Sequence, residues 1–202
     1  MRSVIKHSVF FIRETMEDQL IPLLRPMTIV PVANLIDQRN AVPAESGIYG
    51  WWFKTLPPQV PSAGCLQVDD WTLLHIGISP SGHNPKTTRH LRHRLNDHLS
   101  GGANRSTLRM SLGCLLSEQL NLCLAPHGAS KYLTFGAGEQ RLSHWLTQHT
   151  GISWMLHSQP WELKPIILKQ YSLPLNINNN DHPFVATLKR LREQAKLQAR
   201  LE

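Results

Sequence analysis

Two apolar runs with a β-strand pattern lie in the first half of the chain. Side chains alternate in character along Ser46–Phe53, and a second apolar run, Trp71–Ser79, predicts another strand with Leu73 and His75 on one face. Between them, Lys54–Asp70 is rich in proline and glycine and has the pattern of a long surface loop. Because no helix separates the two runs, we expect them to pair as antiparallel strands.

A basic amphipathic helix is predicted soon after the second strand. Leu91, Leu95 and Leu99 recur every four residues and would form its buried stripe. Thr87 or Thr88 is expected to cap its N-terminus. The same spacing gives a second stripe along the edge of the buried face, consisting of His90, Arg94 and His98.

Weaker patterns predict the remaining elements and a division of the chain into three parts. Helices are expected at about residues 104–120, 138–150 and 160–170, and strands at 132–136 and 152–156. Residues 1–45, with an amphipathic stretch at Glu14–Leu24, are expected to be an N-terminal extension packed on the core. Residues 46–182 would form the main domain, and residues 183–202 a basic C-terminal helix.

Composition and charge narrow the classes of function. The chain has 202 residues, 41% of them hydrophobic, and no apolar stretch long enough to cross a membrane. No signal peptide is evident, and three cysteines without close spacing favour free thiols in a reducing compartment, so we expect a cytoplasmic protein. The net charge of +7 and the pI near 9.7 are compatible with a nucleic-acid partner.

Short motifs in both strands, the basic helix and a later segment occur in a recognisable order. Gly47-Ile48-Tyr49 and His75-Ile76-Gly77 lie in the two predicted strands, and Arg94 and His98 follow on the helix. The segment Leu173-Pro174-Leu175-Asn176 comes about 80 residues later. Together these elements resemble the GIY-YIG nuclease superfamily.

The resemblance implies a fold, an activity and a set of site residues. The expected fold is α/β (α+β), with a small three-stranded antiparallel sheet flanked by helices. The expected activity is hydrolysis of phosphodiester bonds in DNA with one divalent metal, Mg²⁺ or Mn²⁺. The catalytic residues implied by the motifs are Tyr49, His75, Arg94, His98 and Asn176. We expect additional contacts with DNA from Arg105, Arg109, Lys189 and Arg190.

Three positions depart from the family pattern. Ile78 stands where some members carry a lysine, so the phosphate contact of that lysine is absent. His75 stands where a second tyrosine is expected, and imidazole can also exchange a proton near neutral pH. The metal-binding glutamate usually lies twelve residues before the terminal asparagine, and that position holds Lys164. An ammonium group repels Mg²⁺, so this register predicts that no metal is bound. Glu162 is close in sequence, but a two-residue offset turns it about 200° around a helix.

Three interpretations therefore stay open at the level of sequence. The first is a metal-dependent DNA endonuclease. The second, motivated by Lys164, is a DNA-binding protein of the same fold that does not cleave. The third is an interaction module whose basic surface binds a protein or an RNA.

Overall fold

A five-stranded antiparallel sheet forms the centre of the computed structural model, which describes residues 23–24, 26, 28–83, 86–128 and 132–201. The strands are β1 (Val30–Pro31), β2 (Gly47–Phe53), β3 (Gln67–Val68), β4 (Trp71–Ser79), β5 (Ala125–Pro126), β6 (Leu133–Thr134) and β7 (Thr150–Leu156). The order in the main sheet is β1-β7-β2-β4-β3, and β5 and β6 form a separate pair.

Seven α-helices surround the sheet in the described part of the chain. They are α1 (Val32–Ile36), α2 (Leu91–Ser100), α3 (Thr107–Leu115), α4 (Ser117–Leu120), α5 (Gly138–His149), α6 (Pro160–Gln170) and α7 (Phe184–Gln198). Most of the predicted elements are confirmed within a few residues. The predicted helix at 104–120 is divided into α3 and α4, and the strand expected at 132–136 is reduced to the two residues of β6.

Strand β2 is the middle of the sheet, and every one of its residues is buried. Its side chains alternate between two apolar clusters. Tyr49, Trp51 and Phe53 pack with residues of α2, α3 and α5 on one face. Ile48 and Trp52 pack with residues of α6 on the other. Helices cover both faces, which explains why apolar side chains occupy both sets of alternate positions along this strand.

The pairing of β2 with β4 contains a β-bulge that the sequence pattern does not reveal. Trp51 pairs with His75, but the next residue, Trp52, pairs with Leu73, so Leu74 is the extra residue on β4. Leu73 packs with Trp52 in the second cluster, whereas Leu74 joins the first. The expectation that Leu73 shares a face with His75 is therefore wrong, because alternation is interrupted between them.

The expected three-stranded sheet is incomplete as a description of the fold. Strands β7, β2 and β4 form its long central part, and β1 and β3 add one two-residue strand at each edge. β1 comes from the predicted N-terminal extension and β3 from the proline-rich loop. Two residues are too few to show a periodic pattern, so neither edge strand could be recognised from the sequence.

The described residues before residue 46 pack on this core. Val32 and Leu35 of α1 are buried in the first cluster. The amphipathic stretch predicted at Glu14–Leu24 lies outside the described residues except for Leu23 and Leu24, which are buried in the second cluster.

Among the described residues, no helix is both long and apolar enough to cross a bilayer.

Candidate functional site

A cavity of about 490 Å³ opens where β2 and β4 meet helices α2 and α6. Its lining includes four of the residues singled out from the sequence: Tyr49, His75, Arg94 and Lys164. These residues come from four different elements separated by up to 115 positions, so their convergence results from the sheet order. His98 lies directly behind them, hydrogen-bonded to Tyr49.

Tyr49 takes its position from the residue opposite it on the neighbouring strand. Tyr49 pairs with Gly77 across β2 and β4, and a Cβ placed on Gly77 would lie 2.1 Å from both Oη and Cζ of Tyr49. Only glycine leaves room for the ring in this arrangement. The glycine of the second motif therefore allows the tyrosine of the first to lie across β4 and reach the cavity.

A chain of hydrogen bonds extends from Tyr49 into the protein. Tyr49 Oη is 2.6 Å from Nε2 of His98, and Nδ1 of His98 is 2.6 Å from Oγ of Ser106. Ser106 also caps helix α3 by accepting a hydrogen bond from the backbone N–H of Arg109. Ser106 was not identified from the sequence. The helix was predicted to begin at about residue 104, which placed Ser106 inside it, so Ser106 was not recognised as the N-cap.

Arg94 connects Tyr49 to the α2–α3 turn. Its side chain lies near Tyr49 in the cavity wall and donates a hydrogen bond through Nη1 to the carbonyl oxygen of Arg105 at 3.1 Å. Because a guanidinium only donates, the hydroxyl proton of Tyr49 remains available to His98 Nε2. Burial raises the pKa of Tyr49, although the nearby Arg94 partly opposes this effect. Tyr49 is therefore a neutral phenol at physiological pH.

Both imidazoles of the site are neutral as well. Burial lowers the pKa of His75 to about 3, and the positive charge of Lys164 contributes to the decrease. Burial also places the pKa of His98 well below its usual value, with Arg94 as the next cause. Nδ1 of His75 donates to the carbonyl oxygen of Leu175 at 3.3 Å, so Nε2 carries the free lone pair.

Asn176 supports the site from behind and lies almost completely buried. Its side-chain amide accepts a hydrogen bond from the backbone N–H of Ile76 at 2.9 Å and donates one to the carbonyl oxygen of the same residue at 2.8 Å. Strand β3 ends before this point, so the amide pairs backbone groups of β4 that no strand covers. It holds β4 in place next to His75 and does not itself line the cavity.

Lys164 projects from α6 to the cavity. This is the position where the resemblance to the GIY-YIG superfamily predicts a metal-binding glutamate. Burial lowers the pKa of its ammonium group, and the charge of Arg94 adds to this decrease. Glu162 lies in the first turn of the same helix, is exposed and does not line the cavity. The helical geometry that separates Glu162 from Lys164 is thus visible in the structure.

The basic residues expected to contact DNA occupy different environments. Arg105 is exposed, does not line the cavity, and pairs with Asp97 at 2.9 Å. Lys189 and Arg190 are exposed on α7. Arg109, in contrast, is completely buried and pairs with Glu139 at 2.6 Å. The expectation that Arg109 contacts phosphates does not fit this position, because the guanidinium stabilises the packing of α3 on α5.

Comparison with known families agrees with this geometry. The model of the GIY-YIG catalytic domain matches residues 47–194, which is most of the chain. The chain belongs to the GIY-YIG family. Comparison with curated proteins and with solved structures gave no match. Membership of the GIY-YIG family supports a nuclease-type function in general and implies a nucleic-acid substrate.

Nucleases of the GIY-YIG family are generally metal-dependent, but the donor set of this cavity does not fit a divalent metal. Mg²⁺ and Mn²⁺ prefer oxygen ligands, above all carboxylates. The described residues that line the cavity include three cations, Arg89, Arg94 and Lys164, and no carboxylate. Arg89 is paired with Asp97, which lies outside the lining. Nowhere in the described ranges do three or more His, Cys, Asp or Glu side chains cluster as a metal site.

Proposed function

We propose that this protein binds DNA through its GIY-YIG domain, with a backbone phosphate in the cavity, and does not cleave it by a metal-dependent reaction. The observation that carries the proposal is the position of Lys164 in the cavity beside Tyr49, His75 and Arg94. The two cations replace the positive charge that a metal would otherwise supply next to a phosphate.

The absence of a carboxylate partner for Lys164 and Arg94 in the described residues supports an anionic ligand. Burial lowers the pKa of Lys164, and the positive charge of Arg94 adds to this decrease. Among the described residues, neither side chain forms an ion pair with a carboxylate. A phosphate placed between them would stabilise both charges, so we expect the affinity for DNA to fall as the pH rises and Lys164 loses its proton.

The test is a pair of measurements on the wild type and two variants of Lys164. DNA binding is followed by fluorescence anisotropy over a range of salt concentrations, and cleavage is followed on gels with Mg²⁺ or Mn²⁺. The wild type should bind without cutting. Lys164→Gln should weaken binding and make the salt dependence of log K less steep by about one phosphate contact, roughly 0.7 to 0.9. Lys169→Gln, on the exposed side of the same helix, is the matched control.

A second candidate function is a metal-dependent DNA endonuclease. It is favoured by the hydrogen-bonded chain from Tyr49 through His98 to Ser106 and by Arg94, which together could transfer a proton and stabilise charge on a phosphate. Cutting by the wild type that depends on metal and disappears in Arg94→Ala would establish this alternative. Cutting and calorimetric Mn²⁺ binding gained only in Lys164→Glu would support the binding function instead.

A further inference from the structure

A second concave surface continues from the cavity toward the C-terminal helix. We call it the basic groove; Arg94 and Thr107 line both it and the cavity. Its other charged or aromatic lining residues are Arg105, Tyr132, Arg192, Lys196 and Arg200. The α2–α3 turn and the start of β6 form one side, and α7 with the residues just after it forms the other.

The positive charge of the groove is arranged in a row along α7. Arg192, Lys196 and Arg200 follow one another at intervals of four residues, which corresponds to about 6 Å along a helix axis. None of the described lining residues is acidic. The neighbouring carboxylates lie outside the lining, where Glu193 pairs with Lys196 at 2.7 Å and Asp97 pairs with Arg105 at 2.9 Å.

Arg192 gives a separate indication of a ligand. Its Nε atom is buried and has no hydrogen-bond partner in the part of the chain that the structure describes. Burial lowers the pKa of this guanidinium, with Cys114 and Glu193 opposing the effect. A buried guanidinium N–H without a partner is costly, and a small movement of this side chain toward a ligand oxygen in the groove would satisfy it.

Tyr132 adds an aromatic surface to the row of cations. Its side chain is 63% exposed, which is unusual for a large aromatic residue in this chain. Apolar side chains of Met110 and Leu133 contribute to the same lining. Proteins bind single strands of nucleic acid with a row of cations along the sugar-phosphate backbone and exposed aromatic rings that stack on the bases.

We propose that the basic groove binds one unpaired strand of nucleic acid that continues from the phosphate in the cavity, with Tyr132 stacked on a base. This inference rests on the proposed function, since the cavity fixes one phosphate of the same strand. In a paired duplex the faces of the bases are covered by their neighbours, so stacking on Tyr132 requires an unpaired base. The preferred ligand is therefore a single strand or a duplex with a single-stranded tail.

The experiment compares a labelled 20-nucleotide single strand, a blunt duplex of the same sequence and a duplex with a single-stranded tail. Anisotropy titrations are carried out at several salt concentrations. We expect the two ligands that contain an unpaired segment to bind at least about tenfold more tightly than the blunt duplex. Equal affinity for the blunt duplex would overturn the proposal, as would a lack of binding to any nucleic acid.

Two kinds of variant separate stacking from charge. Tyr132→Ala should weaken binding of the single strand roughly 5- to 150-fold without changing the salt slope, and Tyr132→Phe should restore affinity. The double variant Lys196→Gln/Arg200→Gln should reduce the salt slope by about 1.4, the value for two lost phosphate contacts. A Tyr132→Ala variant that binds like the wild type would refute stacking.

Two further variants distinguish an error in the groove proposal from an error in the assignment of the cavity as a phosphate site. Arg190→Gln changes an exposed cation of α7 that was expected from the sequence to contact DNA but does not line the groove. If it weakens binding as much as Lys196→Gln, the charge acts diffusely and the groove is not the binding path. If Lys164→Gln has no effect while the groove variants do, the cavity is not a phosphate site and the groove binds the strand by itself. Lys169→Gln again serves as the control.

Discussion

The neutral state of His75 predicts a specific loss of stability in acid. The pKa of this buried imidazole is about 3 in the folded protein, against 6.5 for an exposed histidine. The unfolded chain therefore binds more protons as the pH falls through 6.5. The contribution of neutral His75 to the free energy of unfolding is complete above pH 6.5 and decreases continuously toward pH 3.

The size of the effect follows from the two pKa values. Integrating the linkage relation gives a loss from His75 alone of about 0.8 kcal/mol at pH 6 and about 2 kcal/mol at pH 5, relative to pH 8. The pKa of His98 is lowered for the same main reason, burial, so the wild type should lose more than this. A loss of this size is a large part of the free energy of unfolding of a typical domain.

The assay is urea unfolding at pH 5, 6, 7 and 8, followed by the fluorescence of the six tryptophans. In His75→Asn, the amide can still donate to Leu175, but there is no imidazole to protonate. Any packing defect lowers the free energy of unfolding equally at each pH, so the comparison uses its change with pH. We expect the variant to lose about 2 kcal/mol less than the wild type between pH 8 and pH 5.

His144→Gln, at an exposed position of α5, is the matched control for removing a histidine from the chain. It should follow the wild-type curve. If His75→Asn and the wild type lose stability in parallel, His75 is not held neutral by its surroundings. Burial and Lys164 would then not determine its charge.

Two packing predictions can be checked by thermal and chemical denaturation. Gly77→Ala should destabilise the fold by about 1–3 kcal/mol, because its Cβ would collide with Tyr49; Gly82→Ala, where no atom lies within 4 Å of the added Cβ, should not. Glu139→Gln should cost about 3–5 kcal/mol, because it leaves the buried guanidinium of Arg109 without its carboxylate. A loss below 1 kcal/mol in Glu139→Gln would show that the other hydrogen bonds of Arg109 are sufficient.

The resemblance to the GIY-YIG superfamily predicted which side chains would lie near one another in the cavity. Tyr49, His75 and Arg94 are brought together, and Lys164 joins them. The period of each element indicates which face a residue occupies, but the meeting of the four elements was implied only by the resemblance. The positions of Asn176 and His98 were also expected near the site, although their hydrogen bonds to Ile76 and Ser106 were not.

Other features depend on contacts between distant residues and left no local pattern. Arg105 and Arg109 look alike in the sequence, but only Arg109 has Glu139 beside it in the fold. The bulge at Leu74 similarly depends on how β4 fits against the tryptophans of β2. A single sequence does not contain the partner of a buried charge or the register of a strand pair.

The sheet order also determines when the site can exist during synthesis of the protein. The central strand β2 is translated early, but its neighbour β7 follows about 100 residues later, and Lys164 and Asn176 later still. A nascent chain that ends before residue 150 has one edge of β2 unpaired, including Trp51 and Trp52. A chain paused on the ribosome in this interval would expose an unpaired apolar strand edge, which favours aggregation. The cavity forms only after its lining residues in the last quarter of the chain have been synthesised.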